Sequence, residues 1–172
     1  MALAGLTGDL PELEGSLGTT GVSSRVQAVV AACPPTDFSQ DDFVRNPEAA
    51  EFIADMFGGS GPDHNEPMRI ASPINHVSRD APPFLVIHGT ADEIVPVEQG
   101  DRLVRALDVA GVSVAYERLE GAGHGLVAGE QPYPRAWGME VLNRLAHDFF
   151  VAQLITSEER RSFIPDAVTL PR

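Results

Sequence analysis

The chain is poor in residues that several kinds of chemistry and architecture require. Its single cysteine, Cys33, excludes a disulfide within the chain and slightly favours a reducing compartment. It contains no lysine, since all 12 cationic side chains are arginines, and this excludes a lysine nucleophile or Schiff base. No apolar run approaches the ~20 residues that a membrane-spanning helix needs. We therefore expect a cytoplasmic protein that does not cross a membrane.

Positive charge is scarce overall. The 25 acidic residues outweigh the arginines and leave a net charge of −13, so nucleic acid and anionic membrane surfaces are poor partners, and we expect the chain to bind neither. The hydrophobic fraction of 43% in 172 residues is typical of one globular domain with a real core.

One stretch in the middle of the chain organises the rest. Residues 84–87 form a continuous apolar run, which predicts a strand buried on both faces, and Asp92 follows in the next loop. A helix is predicted over 97–110, a second strand over 112–119, and then a glycine-rich loop carries His124. A right-handed crossover makes these strands parallel and brings both loops to one edge of the sheet. Asp92 and His124 should therefore be neighbours.

This arrangement resembles the C-terminal half of an α/β-hydrolase of the esterase and prolyl-oligopeptidase-like kind. The resemblance is carried by HGTADEIVP at 88–96 and GAGHG at 121–125, and it extends from the first residues to about Gln153. It implies a partial α/β-hydrolase fold, with about three parallel strands flanked by helices. It also implies that Asp92 orients His124 and that His124 is the general base for a serine. It implies no metal or organic cofactor.

The serine nucleophile of that family is absent. In the family it lies in a G-x-S-x-G turn before the Asp and the His, and no serine here has glycine at both −2 and +2. Ser60 comes nearest, but Pro62 stands at +2 and a predicted helix precedes it. Cys33 ends a predicted strand over 25–32, but Pro34 lacks the N–H that would join an oxyanion hole. Cys33 is therefore interpreted as a buried structural residue.

The ends of the resemblance predict the domain organisation. Residues 1–155 are interpreted as the C-terminal portion of an α/β-hydrolase domain, and residues 156–172 as a polar C-terminal tail. Residues 1–6 look like the last turns of a helix whose beginning is missing, which would place the serine upstream. The strand at 25–32 would then have an unpaired edge. We expect another copy, or the missing N-terminal portion, to cover it.

Other polar residues have simpler interpretations. Residues 11–24 and 67–74 are predicted to be a loop and a connector, with helices over 40–61 and 133–153. Three nearby side chains could bind a metal weakly, although a solvated loop explains them better: Asp63, His64 and Glu66. His76 and His88 are predicted to be structural, and His147 is predicted to face solvent or a neighbour. Asp37 either lines a pocket, contacts the His124 loop or simply serves a turn.

The first functional hypothesis is a serine-type carboxylic ester hydrolase. In the complete protein it would act on a small-molecule ester, while the portion present here would be inactive alone because the serine is missing. Two alternatives remain open. One is a non-catalytic, self-associating α/β-hydrolase-like domain, and the other is a serine peptidase of the prolyl-oligopeptidase type.

Overall fold

A three-stranded parallel sheet forms the centre of the fold. The computed structural model describes residues 2–8, 10–16, 21–39, 46–59, 64–126 and 137–155. The strands β1 (Val29–Ala32), β2 (Phe84–Gly89) and β3 (Val114–Leu119) lie in the order β1-β2-β3, and both pairings are parallel. The predicted α/β class and the number of strands are confirmed.

The helices occupy both faces of this sheet, and several begin at proline, whose fixed φ suits the first helical turn. The predicted helix over 97–110 is present, as is a helix within 40–61, and α6 covers the described part of the helix predicted over 133–153. Residues 11–24 and 67–74 hold more helix than the prediction of a loop and a connector. The elements are α1 (Ala2–Leu6), α2 (Pro11–Glu14), α3 (Pro47–Met56), α4 (Asn65–Ala71), a 3₁₀ helix (Pro73–His76), α5 (Val97–Val109) and α6 (Trp137–Leu154).

The core lies on both sides of β2, every residue of which is buried. Phe84 and Val86 pack with residues of α1 and α5 on one face, including Leu103 and Leu107. Leu85 and Ile87 face the other way and pack with a group that includes three residues of α6: Leu142, Leu145 and Phe149. Because strand side chains alternate between faces, an unbroken apolar run is what a doubly covered strand requires.

One edge of the sheet has no partner strand among the described residues. The N–H groups of Val29 and Cys33 donate to Pro83 and Ile87 beside β2. Alternate N–H groups point to opposite edges, so those of Val30 and Ala32 point away from β2. An apolar groove of about 590 Å³ runs along this edge between α1 and α6. Its lining includes Ala2, Leu3, Val30, Ala32, Leu142, Ala146 and Phe150.

Some predictions fall outside the part of the chain that the structure describes. Ser60, Asp63 and the predicted tail at 156–172 belong to that group. Within the described ranges, no helix has both the length and the apolar character that spanning a bilayer requires.

Candidate functional site

The acidic member of the site lies just beyond the carboxyl end of β2. Oδ1 of Asp92 accepts hydrogen bonds from the backbone N–H groups of Ile94 (3.0 Å) and Val95 (2.8 Å). These contacts make a tight turn before α5 begins at Val97, and they hold one carboxylate oxygen in place. The Asp92 side chain is fully buried, with 0% of its surface exposed. Its second oxygen is left to make other contacts.

That second oxygen contacts the histidine of the loop that follows β3. His124 Nδ1 lies 3.0 Å from Asp92 Oδ2, which is hydrogen-bonding distance. A carboxylate can only accept, so Nδ1 carries the hydrogen and Nε2 is the acceptor nitrogen of the neutral ring. The His124 side chain is 42% exposed, and no residue in the described ranges hydrogen-bonds to Nε2. The structure therefore brings the two residues together as the crossover argument predicts.

Gly89, the last residue of β2, lets the histidine loop cross close to the sheet. Thr90 N–H donates to Leu119 and Ala91 N–H donates to Ala122, which ties the two loops together. A Cβ atom on Gly89 would lie 2.1 Å from the carbonyl oxygen of Ala122, far inside contact distance. Glycine at this position is thus required for the close approach that delivers His124 to Asp92.

The surroundings of Asp92 favour its ionised form. Burial alone would raise the pKa of its carboxyl group, but hydrogen bonds outweigh burial and hold the pKa well below its usual range. The donors are His88, the backbone N–H of Val95, His124 and the backbone N–H of Ile94. Asp92 is therefore a carboxylate across the whole neutral range, as an orienting partner of histidine needs to be.

Cys33 lies beside Asp92 at the end of β1, with a backbone φ of 43°. Burial, partly offset by the backbone of Gly89 and reinforced by Asp92, raises the pKa of the thiol to about 12. A thiol of that kind is not a nucleophile at neutral pH. This agrees with the interpretation of Cys33 as a structural residue, which its 4% exposure also supports.

Two buried side chains support the site in ways that the sequence did not reveal. His88 is fully buried, and its Nε2 lies 2.8 Å from the carbonyl oxygen of Val95 and 3.5 Å from Asp92 Oδ2. Gln99 in α5 accepts hydrogen bonds from the backbone of Thr36 and Asp37, both at 2.8 Å. It thereby fastens the turn after β1 to α5. The sequence carries no signal for either contact, because a four-residue spacing brings side chains together only on a helix, whereas His88 lies on a strand.

A cavity of about 490 Å³ opens beside His124. Most of its wall is apolar and comes from α3 and from the loop before α5, where Phe52, Met56 and Ile94 are each about half exposed or more. Glu48 is an acidic group at its wall. A size of a few hundred Å³ suits a small organic molecule. The remaining lining residues are Ala32, Cys33, Pro35, Asn46, Ala49, Ile53 and Val95.

The other candidate residues do not join this site. Asp37 is buried and accepts from Ser39, so it serves its own turn. His64 contacts the carbonyl oxygen of Phe57, and His76 contacts that of Ile70. Glu66 pairs with Arg69. His147 is exposed beside Asp148, as predicted.

One set of buried side chains has the composition of a metal site. Ligand atoms of Cys33, His88 and Asp92 all lie within 4.8 Å of one another. However, His88 Nε2 already faces the Val95 carbonyl, and both oxygens of Asp92 accept hydrogen bonds. A metal ion would have to displace these contacts, so the donor set fits hydrogen bonding better than metal binding.

Known proteins with similar sequences are esterases. The chain matches the BD-FAE family over residues 1–107. Esterase LipC of Mycobacterium tuberculosis is 37% identical over 150 residues, a match that covers 85% of this chain and 37% of LipC. The probable carboxylic ester hydrolase LipM of the same organism is 33% identical over 125 residues, covering 72% of this chain and 28% of LipM.

The similarity to esterases extends to the fold, as solved structures show. A truncated form of a carbohydrate esterase from gut microbiota superposes with a TM-score of 0.65 at 29% identity, over 88% of this chain and 54% of that one. The chain thus spans little more than a third of LipC and about half of this structural neighbour. Since the family match covers more than half of the chain, the chain belongs to the BD-FAE family of α/β-hydrolase esterases.

Proposed function

We propose that the chain is the general-base portion of a serine-type carboxylic ester hydrolase. The observation that carries the proposal is the 3.0 Å contact between His124 Nδ1 and the buried carboxylate of Asp92. It fixes the tautomer in which Nε2 of the partly exposed ring can accept a proton. The esterase names of the relatives support an ester as the substrate.

In the proposed reaction His124 and Asp92 have distinct roles. His124 Nε2 takes the proton from a serine hydroxyl as that oxygen attacks the ester carbonyl, and it later returns a proton to the leaving alcohol. Asp92 holds the ring and stabilises the imidazolium that forms. A water molecule, deprotonated by the same nitrogen, then attacks the acyl-enzyme carbonyl. The carboxylic acid leaves, and the serine oxygen takes the proton back from Nε2.

The serine is proposed to come from chain that precedes residue 1 in the complete protein. Its place is next to β1, because the outward N–H groups of this strand and the apolar groove beside it suit an added parallel strand. A strand paired there would end at the same rim of the sheet as the Asp92 and His124 loops. This is the rim where a nucleophile must meet Nε2.

The cavity beside His124 is proposed to receive the ester. Its apolar wall on α3 suits the acyl or alkyl part, whereas Glu48 disfavours substrates with a free carboxylate. The partner of the site is therefore a neutral small-molecule ester.

The test begins with the reading frame upstream of Met1. The proposal predicts that it encodes a strand followed by G-x-S-x-G. The extended protein should hydrolyse short-chain nitrophenyl esters and be labelled by a fluorophosphonate at that serine. His124→Ala and Asp92→Asn should each lower kcat by at least about a thousandfold. His147→Ala, which changes an exposed histidine, is the matched control and should leave kcat unchanged.

The 172-residue chain by itself should give neither turnover nor labelling. Robust labelling of a serine within it would contradict the proposal, because a nucleophile would then lie inside the chain. A stop codon immediately ahead of Met1 would also contradict it, in favour of a non-catalytic, self-associating domain.

A further inference from the structure

We infer that His88 is a positioning residue, whose buried imidazole holds the Asp92 carboxylate in the orientation that His124 requires. This role in catalysis rests on the proposed function, whereas the contact itself does not. His88 lies on β2, four residues before Asp92, and its ring has no exposed surface.

The hydrogen-bond partners of His88 fix its ring. The carbonyl oxygen of Val95, 2.8 Å from Nε2, can only accept, so Nε2 carries the hydrogen. Asp92 Oδ2 lies 3.5 Å from the same nitrogen, at the outer limit of hydrogen-bonding distance, so this N–H makes only a weak second contact there. Oδ2 therefore lies between two imidazoles, with His124 at 3.0 Å and His88 at 3.5 Å.

The contact with Val95 closes a ring of interactions around the carboxylate. The N–H of Val95 donates to Asp92 Oδ1, and the carbonyl of the same residue accepts from His88. Val95 is thus bound to Asp92 through its N–H and to His88 through its carbonyl, and these two contacts hold the turn that carries Asp92. A carboxylate with both oxygens held in this way cannot rotate away from His124 without breaking several contacts.

Gly100 packs against the His88 ring on the side of Nδ1. A Cβ atom at this buried position of α5 would lie 2.6 Å from His88 Nδ1. Nδ1 is buried and has no hydrogen-bond partner among the described residues, which suits the unprotonated nitrogen of a neutral ring. Glycine therefore lets α5 pack directly against the imidazole, and the methyl group of an alanine would displace the ring.

The decisive measurement is the titration of the Asp92 side chain in the 172-residue chain, followed by the ¹³C shift of its carboxyl carbon. Three titratable groups face this carboxylate: His88 on β2, His124 after β3, and the Cys33 thiol at the end of β1. In His88→Leu the Asp92 midpoint should rise by about one pH unit, because the charged form loses a donor.

Two further variants separate the hydrogen bond from simple packing. His88→Gln can keep an N–H near the position of Nε2 and should reduce the rise by at least half. Gly100→Ala leaves His88 in place but pushes its ring, so the midpoint should rise as well. Ile87→Val, at the neighbouring buried position, should lower the thermal midpoint without moving the Asp92 titration.

An unchanged Asp92 midpoint in His88→Leu would overturn the inference, and so would an equal rise in His88→Gln. Should the leucine variant not fold, Gly100→Ala decides in its place: an unchanged Asp92 midpoint in that variant, or an equal rise in His88→Gln, would overturn the inference. In the extended protein His88→Leu should lower kcat about tenfold with little change in KM. Loss of the proposed function would be seen separately, as full activity in His124→Ala.

Discussion

At the scale of single residues, the site depends on a carboxylate that stays ionised although it is buried. Four donors surround Asp92, and together they outweigh the cost of removing its charge from water. The same donors define what Asp92 contributes to folding, since the unfolded chain offers no such contacts.

The depressed pKa of Asp92 predicts a particular dependence of stability on pH. Asp92 has a lower pKa in the folded than in the unfolded chain, so it stabilises the fold at pH values above the unfolded pKa. This contribution is lost as the pH falls from the unfolded pKa through the folded pKa. The wild type should therefore have a higher free energy of unfolding than Asp92→Asn at pH 6. This difference between the two proteins should be about 1 kcal/mol smaller at pH 3. Urea unfolding at both values measures this difference.

Leu107→Ala provides the comparison, because it removes a fully buried side chain that does not titrate. Its cost, on the order of 3 kcal/mol, should be the same at both pH values. A pH-independent difference between the wild type and Asp92→Asn would show that the donors do not favour the ionised form.

Asp92 and His124 could be paired from the sequence, whereas the contacts that support them could not. Two loops after parallel strands must meet at one rim, and each loop carried one chemically distinctive residue. The contact of His88 with Val95 and that of Gln99 with Thr36 depend on how α5 packs against the sheet. Local sequence does not encode that packing.

At the scale of elements, the end of β2 determines where the histidine loop can lie. Gly89→Ala places a methyl group into the backbone of Ala122, and backbone cannot swing aside as a long side chain can. The variant should lose about 1–3 kcal/mol of stability, and the NMR signals of His124 should shift. Chemical denaturation together with an ¹H–¹⁵N spectrum measures both effects.

Gly111→Ala is the matched glycine variant for this experiment. Gly111 has a φ of 77°, and no atom lies within 4 Å of the place that a Cβ would take, so its replacement costs about 1 kcal/mol of backbone strain alone. The His124 signals should not move in it. Unshifted signals in Gly89→Ala would mean that the loop does not depend on this close approach.

The elements themselves were predictable to different degrees. The buried strand β2 is an unbroken apolar run, and α5 shows a regular apolar face, so both were evident. The region over 67–74 was not, because α4 and the following 3₁₀ helix are short, and Pro67 and Pro73, which lie in their first turns, read in the sequence as breaks in regular structure. Short helices of this kind are stabilised by packing rather than by local preference.

At the scale of the whole molecule, the outward edge of β1 predicts self-association of the isolated chain. Val30 and Ala32 offer backbone N–H groups and apolar side chains to any added strand. Sedimentation should show association that increases with concentration, and Ala32→Lys should weaken it. Val109→Lys adds the same charge at an 81% exposed position of α5 and should have no effect. A monomer at all concentrations would count against an open edge.

The parallel sheet has a kinetic consequence as well. Phe84 of β2 pairs with Val114 of β3 across 30 positions, but with Val29 of β1 across 55. Closing the longer loop costs about 0.5 kcal/mol more in chain entropy, and distant pairings form more slowly. The unit of β2, α5 and β3 is thus favoured to condense first. Asp92 and His124 would then be brought together early, before β1 has docked.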